Sequence, residues 1–97
     1  MAKQGSLHHE PELREKLHRK AKVAAGHVGG IARMIEDDKY CIDILKQIAA
    51  VQGTLTAVAR DLAHSHIVHC VQNSIADGSG VQAVEELLQT LKYLQRA

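Results

Sequence analysis

From residue 13 onward, apolar residues recur at spacings of three and four: Leu13, Leu17, Ala21, Ala24, Val28, Ile31 and Ile35. That is one apolar stripe over about six helical turns. Pro11 suits the first turn of such a helix, and Glu10, Glu12 and Glu15 lie where its positive end favours carboxylates. The pattern predicts a helix over 11–36. A second stripe, Ile44, Ile48, Val51, Leu55, Val58 and Leu62, is widened by Leu45, Ala49, Ala59, Ala63, Ile67 and Val71. A face that wide asks for partners on more than one side. Between the two stripes, "EDDKYC" supplies the break. Asp37 or Asp38 is expected to cap the second helix by accepting from its free N–H groups, which puts Cys41 in the first turn. Gly53 falls inside the helix at a cost of about 1 kcal/mol relative to Ala. "DGSG" at 77–80 ends it, with Gly78 suited to the left-handed position after the last turn and Ser79 with Gln82 reading as a capping box. A third helix follows over about 80–95, with Val81, Val84, Leu88, Leu91 and Leu94 as its stripe. Residues 1–10 lack periodicity and read as a flexible tail, which leaves 11–97 as the helical domain.

Composition agrees with an all-α chain. Its two aromatic residues are both Tyr, it has one proline, and the core falls to Leu, Ile, Val and Ala. A lone domain of 97 residues buries only roughly 60 to 65% of the surface its unfolded chain exposes. Helix 3 is too short to cover two long helices. The expected solution is a dimer in which helices 1 and 2 of two chains form an antiparallel four-helix bundle. No stretch reaches the roughly 18 apolar residues needed to span a bilayer, and "MAKQGSLHHEPE" has no apolar segment of the kind a signal peptide carries. The chain reads as cytoplasmic. In a reducing compartment Cys41 and Cys70 are buried thiols, metal ligands or redox-active groups rather than a structural disulfide. Charge is divided unevenly: residues 1–33 hold seven Lys and Arg against three Glu, and residues 34–97 hold five against eight Asp and Glu. The positive end suits a polyanion.

The stretch "AHSHIVHC" at 63–70 concentrates the chemistry. His66 and Cys70 are four apart, so on a helix they share one face and can chelate one ion. Cys41 is 25 residues earlier, roughly 37 Å away along an unbroken helix. A site using all three therefore needs two chains, Cys41 from one and His66 with Cys70 from the other, and twofold symmetry repeats it. A thiolate in the first turn of a helix is stabilised by the positive end. Two thiolates and one imidazole suit Cu(I), with Zn(II) or Ni(II) if His8 or His9 supplies a fourth donor. His64 and His69 fall off the Cys70 face and read as solvated; His18 and His27 read as surface or packing residues. The run Arg14, Lys16, Arg19, Lys20, Lys22 reads by default as a solvated helix face.

"AGHVGGIARMIEDDKYCIDILKQIAAVQ", then "HSHIVHC" and "VEELLQTLKYL", resemble the copper-sensing repressor (CsoR) family, whose relatives sense nickel, cobalt, formaldehyde or persulfide. The resemblance spans roughly residues 12–94. It implies an all-helical dimer that pairs into a homotetramer, represses an operator when metal-free, and releases it on binding its ligand. It also implies Cys41, His66 and Cys70 as a trigonal Cu(I) set, with Tyr40 and Glu86 as hydrogen-bonding partners near the ligating imidazole. His9 matches an amino-terminal ligand position of nickel and cobalt sensors. Ala25 and Ala57 stand where many members carry basic residues, which leaves Arg14, Arg19, Lys20, Lys22 and Arg60 for phosphate contacts.

The leading function is a Cu(I)-responsive repressor of copper resistance or efflux genes, with double-stranded operator DNA as partner and no membrane or small-molecule substrate. One alternative is a Ni(II) sensor using His9; another is a thiol or persulfide switch between Cys41 and Cys70. His66 argues against the switch, since thiol exchange needs no imidazole there. Metal storage without DNA is a further class. Paired carboxylates, a nucleophile elbow and a phosphate-cradling glycine loop are missing from the sequence, so an enzyme is not expected.

Overall fold

A computed structural model describes residue 7 and residues 10–94, apart from the side chains of residues 70, 74 and 75. It contains three helices, α1 (Pro11–Glu36), α2 (Cys41–Asp77) and α3 (Gly80–Leu94). Contacts between α1 and α2 run outward from the turn as His27 to Gln47, Lys16 to Asp61 and Glu10 to Ser65, so the two helices are antiparallel. α3 folds back along the C-terminal half of α2, bringing Glu86 to His66. At about 1.5 Å per residue, the 37 residues of α2 account for most of the 57 Å length of the molecule. Gly53 does not interrupt it. None of the described helices is long and apolar enough to cross a membrane.

The α1–α2 turn departs from expectation. Asp37 and Asp38 close α1 instead of opening α2: Asp38 N–H donates to the Ile35 carbonyl at 3.2 Å, and Lys39 N–H donates to the Met34 carbonyl at 3.0 Å. This pair of bonds is the Schellman arrangement, and it places Asp38 in the left-handed region at φ 54°. A non-glycine residue there costs about 1–2 kcal/mol, of which glycine's extra unfolded-state freedom takes back about 0.4–1 kcal/mol. Asp38→Gly is therefore expected to stabilise the fold by about 0.5 kcal/mol. A denaturant midpoint that stays put or falls would count against this turn geometry.

The second turn matches the sequence at Gly78, but the expected Ser79–Gln82 capping box is replaced by bonds from Ser79 to Asp77. Gly78 takes a left-handed φ of 76° just after α2. Ser79 precedes α3, and its N–H and hydroxyl both donate to Asp77 Oδ1, at 3.0 and 2.5 Å. The hydroxyl bond first, then the backbone bond, hold the Asp77 carboxyl below the usual carboxylate range. The resulting contribution is present above that range and lost as pH falls through the lowered value.

Among the described residues only Leu17, Ala24, Ile31, Val51 and Ala63 form a buried apolar core. Much of the apolar surface of the helices faces outward. Val28 and Ile35 on α1 and Ile42, Leu45 and Leu55 on the N-terminal half of α2 are exposed. On α3 the predicted stripe is rotated away from the chain: Val81, Val84, Leu88 and Leu91 are exposed, Val81 by 79%. Ala83, Glu86, Leu87, Thr90 and Leu94 are the more covered positions. Small Ala83 and Thr90 permit a close approach to α2 while Glu86 meets His66. An apolar stripe records what must be buried, not which chain buries it.

Candidate metal centre and nucleic-acid face

His66 projects from α2 toward α3, where its Nε2 lies 3.4 Å from Glu86 Oε2; the two side chains are 21% and 26% exposed. Cys70 is one turn further along α2, and its side chain lies outside the described atoms. Cys41 is the first residue of α2 and is exposed, as is Tyr40 before it. With α2 unbroken between them, Cys41 and His66 are roughly 37 Å apart. One chain thus carries His66, Cys70 and Glu86 toward one end and Tyr40 with Cys41 at the other. Among the described residues no three His, Cys, Asp or Glu side chains gather into a metal cage. His8 and His9 lie outside the described residues.

The donors fit a soft, low-coordinate ion. Cys41 is the first residue of a 37-residue helix, and its exposure leaves it open to a second chain. His66 already has a carboxylate beside its ring, the kind of outer partner that fixes the orientation of a ligating imidazole.

The remaining histidines divide. His27 Nε2–H donates to the Gln47 side-chain carbonyl at 2.6 Å and ties α1 to α2, the packing role expected of it. His18 and His64 are exposed. His69 does not have the solvated position expected from the sequence. Its Nδ1–H donates to the Ser65 carbonyl at 2.8 Å, and its Nε2 faces Glu10 Oε1 at 3.6 Å. The Ser65 hydroxyl donates to the other oxygen of Glu10. The spacing of Ser65 and His69 marks one helix face, but nothing local in the sequence points to a carboxylate 55 residues away.

On the basic side, Arg14, Arg19, Lys22 and Arg60 are exposed and Lys20 is half-buried. Lys16, Arg19 and Lys20 border an open groove of about 790 Å³ whose floor is Ala50, Gly53, Thr54 and Ala57. No carboxylate lines it, so the α1 cations set its sign. Arg60 lies outside the groove lining. Lys16 and Asp61 approach to 3.9 Å, but both are well exposed, and such pairs contribute little.

A long antiparallel helix pair with a third helix folded onto it, thiol and imidazole at opposite ends of α2 and cations along α1, has the form of an all-helical metal-responsive regulator. Residues 13–93 match the family model described as "Metal-sensitive transcriptional repressor", and the chain belongs to that family. It is 43% identical over 72 residues to the copper-sensing transcriptional repressor CsoR of Mycobacterium bovis, a match covering 74% of this chain and 60% of that protein. The chain therefore spans about three fifths of that relative's length. The crystal structure of the copper-sensing repressor CsoR with Cu(I) from Geobacillus thermodenitrificans superposes with a TM-score of 0.78 at 41% identity, covering 84% of each chain. The nickel-responsive transcriptional regulator InrS superposes with a TM-score of 0.75 at 30% identity, covering 97% of this chain and 98% of the other.

Proposed function

We propose that the chain is a Cu(I)-responsive repressor that binds operator DNA when metal-free and leaves it when Cu(I) occupies a site shared between two chains. Cys41 of one chain and His66 with Cys70 of its partner hold the ion; two thiolates and an imidazole are the donors Cu(I) prefers. The observation that carries this reading is the roughly 37 Å of unbroken α2 between Cys41 and His66, which gives each chain two incomplete half-sites. Tyr40 enters with Cys41, and Glu86 is already beside His66.

The exposed apolar residues support the assembly. Antiparallel pairing of two copies through Ile42, Leu45 and Leu55 of α2, with Val28 and Ile35 of α1, forms a four-helix bundle and carries Cys41 toward His66 and Cys70 of the other chain. The outer face of α3, with Val84, Leu88 and Leu91, remains for pairing dimers into a homotetramer.

In this reading Arg14, Arg19, Lys20, Lys22 and Arg60 contact phosphates. Phosphate contacts position a protein without reading sequence. Lys20→Gln or Arg19→Gln should therefore weaken binding to operator and random DNA alike, and flatten the dependence of log affinity on log salt by about one unit per contact. Loss of sequence preference at an unchanged slope would contradict this. The reading as a whole is tested with an operator selected from random DNA by the metal-free protein: Cu(I) is expected to release it, and unchanged affinity would overturn the proposal.

The similarity to a nickel-responsive regulator favours one second reading, a Ni(II) site with His9 as an additional donor. Ni(II) in a square-planar N/S site is coloured, whereas Cu(I) is colourless and its binding does not depend on His9. His9→Ala separates the two.

A further inference from the structure

We propose that Glu10 is the positioning residue that couples the metal-bearing turn of α2 to the basic face of α1. The proposal rests on the repressor reading and assigns part of its regulation. For metal at His66 and Cys70 to change DNA affinity, its effect must reach the phosphate-contacting cations; Arg60 is on α2 itself, but Arg14, Arg19, Lys20 and Lys22 all lie on α1. The His66–Glu86 contact ties the metal-bearing turn to α3, whose one cation among the described residues is Lys92, so a further connection must carry the change to α1.

Glu10 supplies the missing connection. It occupies the N-cap of α1, where a side-chain oxygen ordinarily accepts from the free N–H groups of its own helix, yet it makes no such bond. Both carboxylate oxygens turn to α2. One accepts from the Ser65 hydroxyl, and the other lies 3.6 Å from His69 Nε2. The bond from His69 Nδ1–H to the Ser65 carbonyl orients the ring edge that meets Glu10.

Ser65 and His69 each directly precede a ligand in sequence, His66 and Cys70. One turn of helix therefore presents its ligands on one side and holds Glu10 about 100° around the axis. A helical turn moves as a unit, so a rotation or shift imposed at His66 and Cys70 displaces Ser65 and His69 with them. On the α1 side, the Arg14 N–H donates to the Glu10 carbonyl at 2.9 Å, so displacement of Glu10 moves the first turn and its first cation.

The quantity to measure is the ratio of operator Kd with and without Cu(I), in the full chain. Glu10→Ala is expected to reduce this ratio by about tenfold or more, while Cu(I) affinity and metal-free operator affinity each stay within about threefold of the parent. Ser65→Ala breaks the same contact from α2 and should do the same without altering the start of α1. Because both remove one connection, the double variant should lose no more than either single one. Glu10→Gln still accepts from Ser65 and should keep the larger part of the coupling. Hydrogen exchange supplies a readout independent of DNA: Cu(I) should change protection over residues 11–16 in the parent and not in Glu10→Ala. Parental coupling in both Glu10→Ala and Ser65→Ala, multiplying effects in the double variant, or loss of metal-free DNA binding with the helical spectrum intact would each overturn the proposal. If the parent itself shows no Cu(I)-dependent change in operator affinity, the repressor reading fails instead, and hydrogen exchange still decides whether Glu10 links the two helices.

Discussion

Cys41→Ala and Cys70→Ala chains, each unable to respond to Cu(I) alone, are expected to recover a response when mixed. Each substitution removes a thiolate from every site of its own homodimer, leaving two donors where Cu(I) prefers three. The loss of affinity should exceed the roughly 10- to 100-fold that removal of an outer partner causes. In a mixed dimer the two sites differ. One lacks both thiolates, whereas the other draws Cys41 from the Cys70→Ala chain and His66 with Cys70 from the Cys41→Ala chain, and is complete. Random exchange of equal amounts makes about half the dimers mixed, each with one intact site of two, so about a quarter of parental high-affinity Cu(I) binding should return. The geometry makes the result decisive, because roughly 37 Å of rigid helix separates Cys41 from His66 in one chain. Failure to recover binding under conditions of proven subunit exchange would rule out a site shared in this way.

Glu86→Ala separates holding the metal from reporting it. A hard carboxylate adds little to a soft trigonal Cu(I) set, so Cu(I) affinity should remain within about tenfold of the parent, at the mild end of outer-partner losses. Glu86 lies 3.4 Å from His66 Nε2 on a helix with no buried residue of its own, so this contact is a principal tie between α3 and the site. If the other ring nitrogen ligates metal, Nε2 is fixed as a donor, and Glu86 lies beside it as the acceptor. Removing the carboxylate should therefore erase most of the metal's effect on operator affinity, leaving metal-free binding intact. A variant that releases DNA as the parent does would leave α3 without this relay.

The parts of the molecule legible in the sequence are those set by local periodicity and turn chemistry. Leu17, Ala24 and Ile31 give α1 its stripe and Pro11 its start; "DGSG" gives the second turn through Gly78. The length of α2 follows from an apolar pattern that runs through Gly53, and with it the separation of Cys41 from His66. Assignments that turn on backbone geometry at a helix end or on a distant partner were not legible. Asp37 and Asp38 have the residue type that caps the start of α2, but the backbone uses them to close α1. Val81, Val84, Leu88 and Leu91 form the more apolar face of α3, yet the closer packing of Ala83 and Thr90 and the meeting of Glu86 with His66 decide which face the chain covers itself. His69 is polar and off the ligand face; Glu10, from the other end of the hairpin, gives it a role.

Anaerobic titration of the reduced protein with Cu(I), read at once by X-ray absorption and by operator binding, tests the shared-site sensor most directly. One Cu(I) per chain is expected in a three-coordinate site of two sulfurs and one imidazole nitrogen, with operator affinity falling in step with occupancy. A site lacking either sulfur, or full occupancy with DNA still bound as tightly as before, would contradict it.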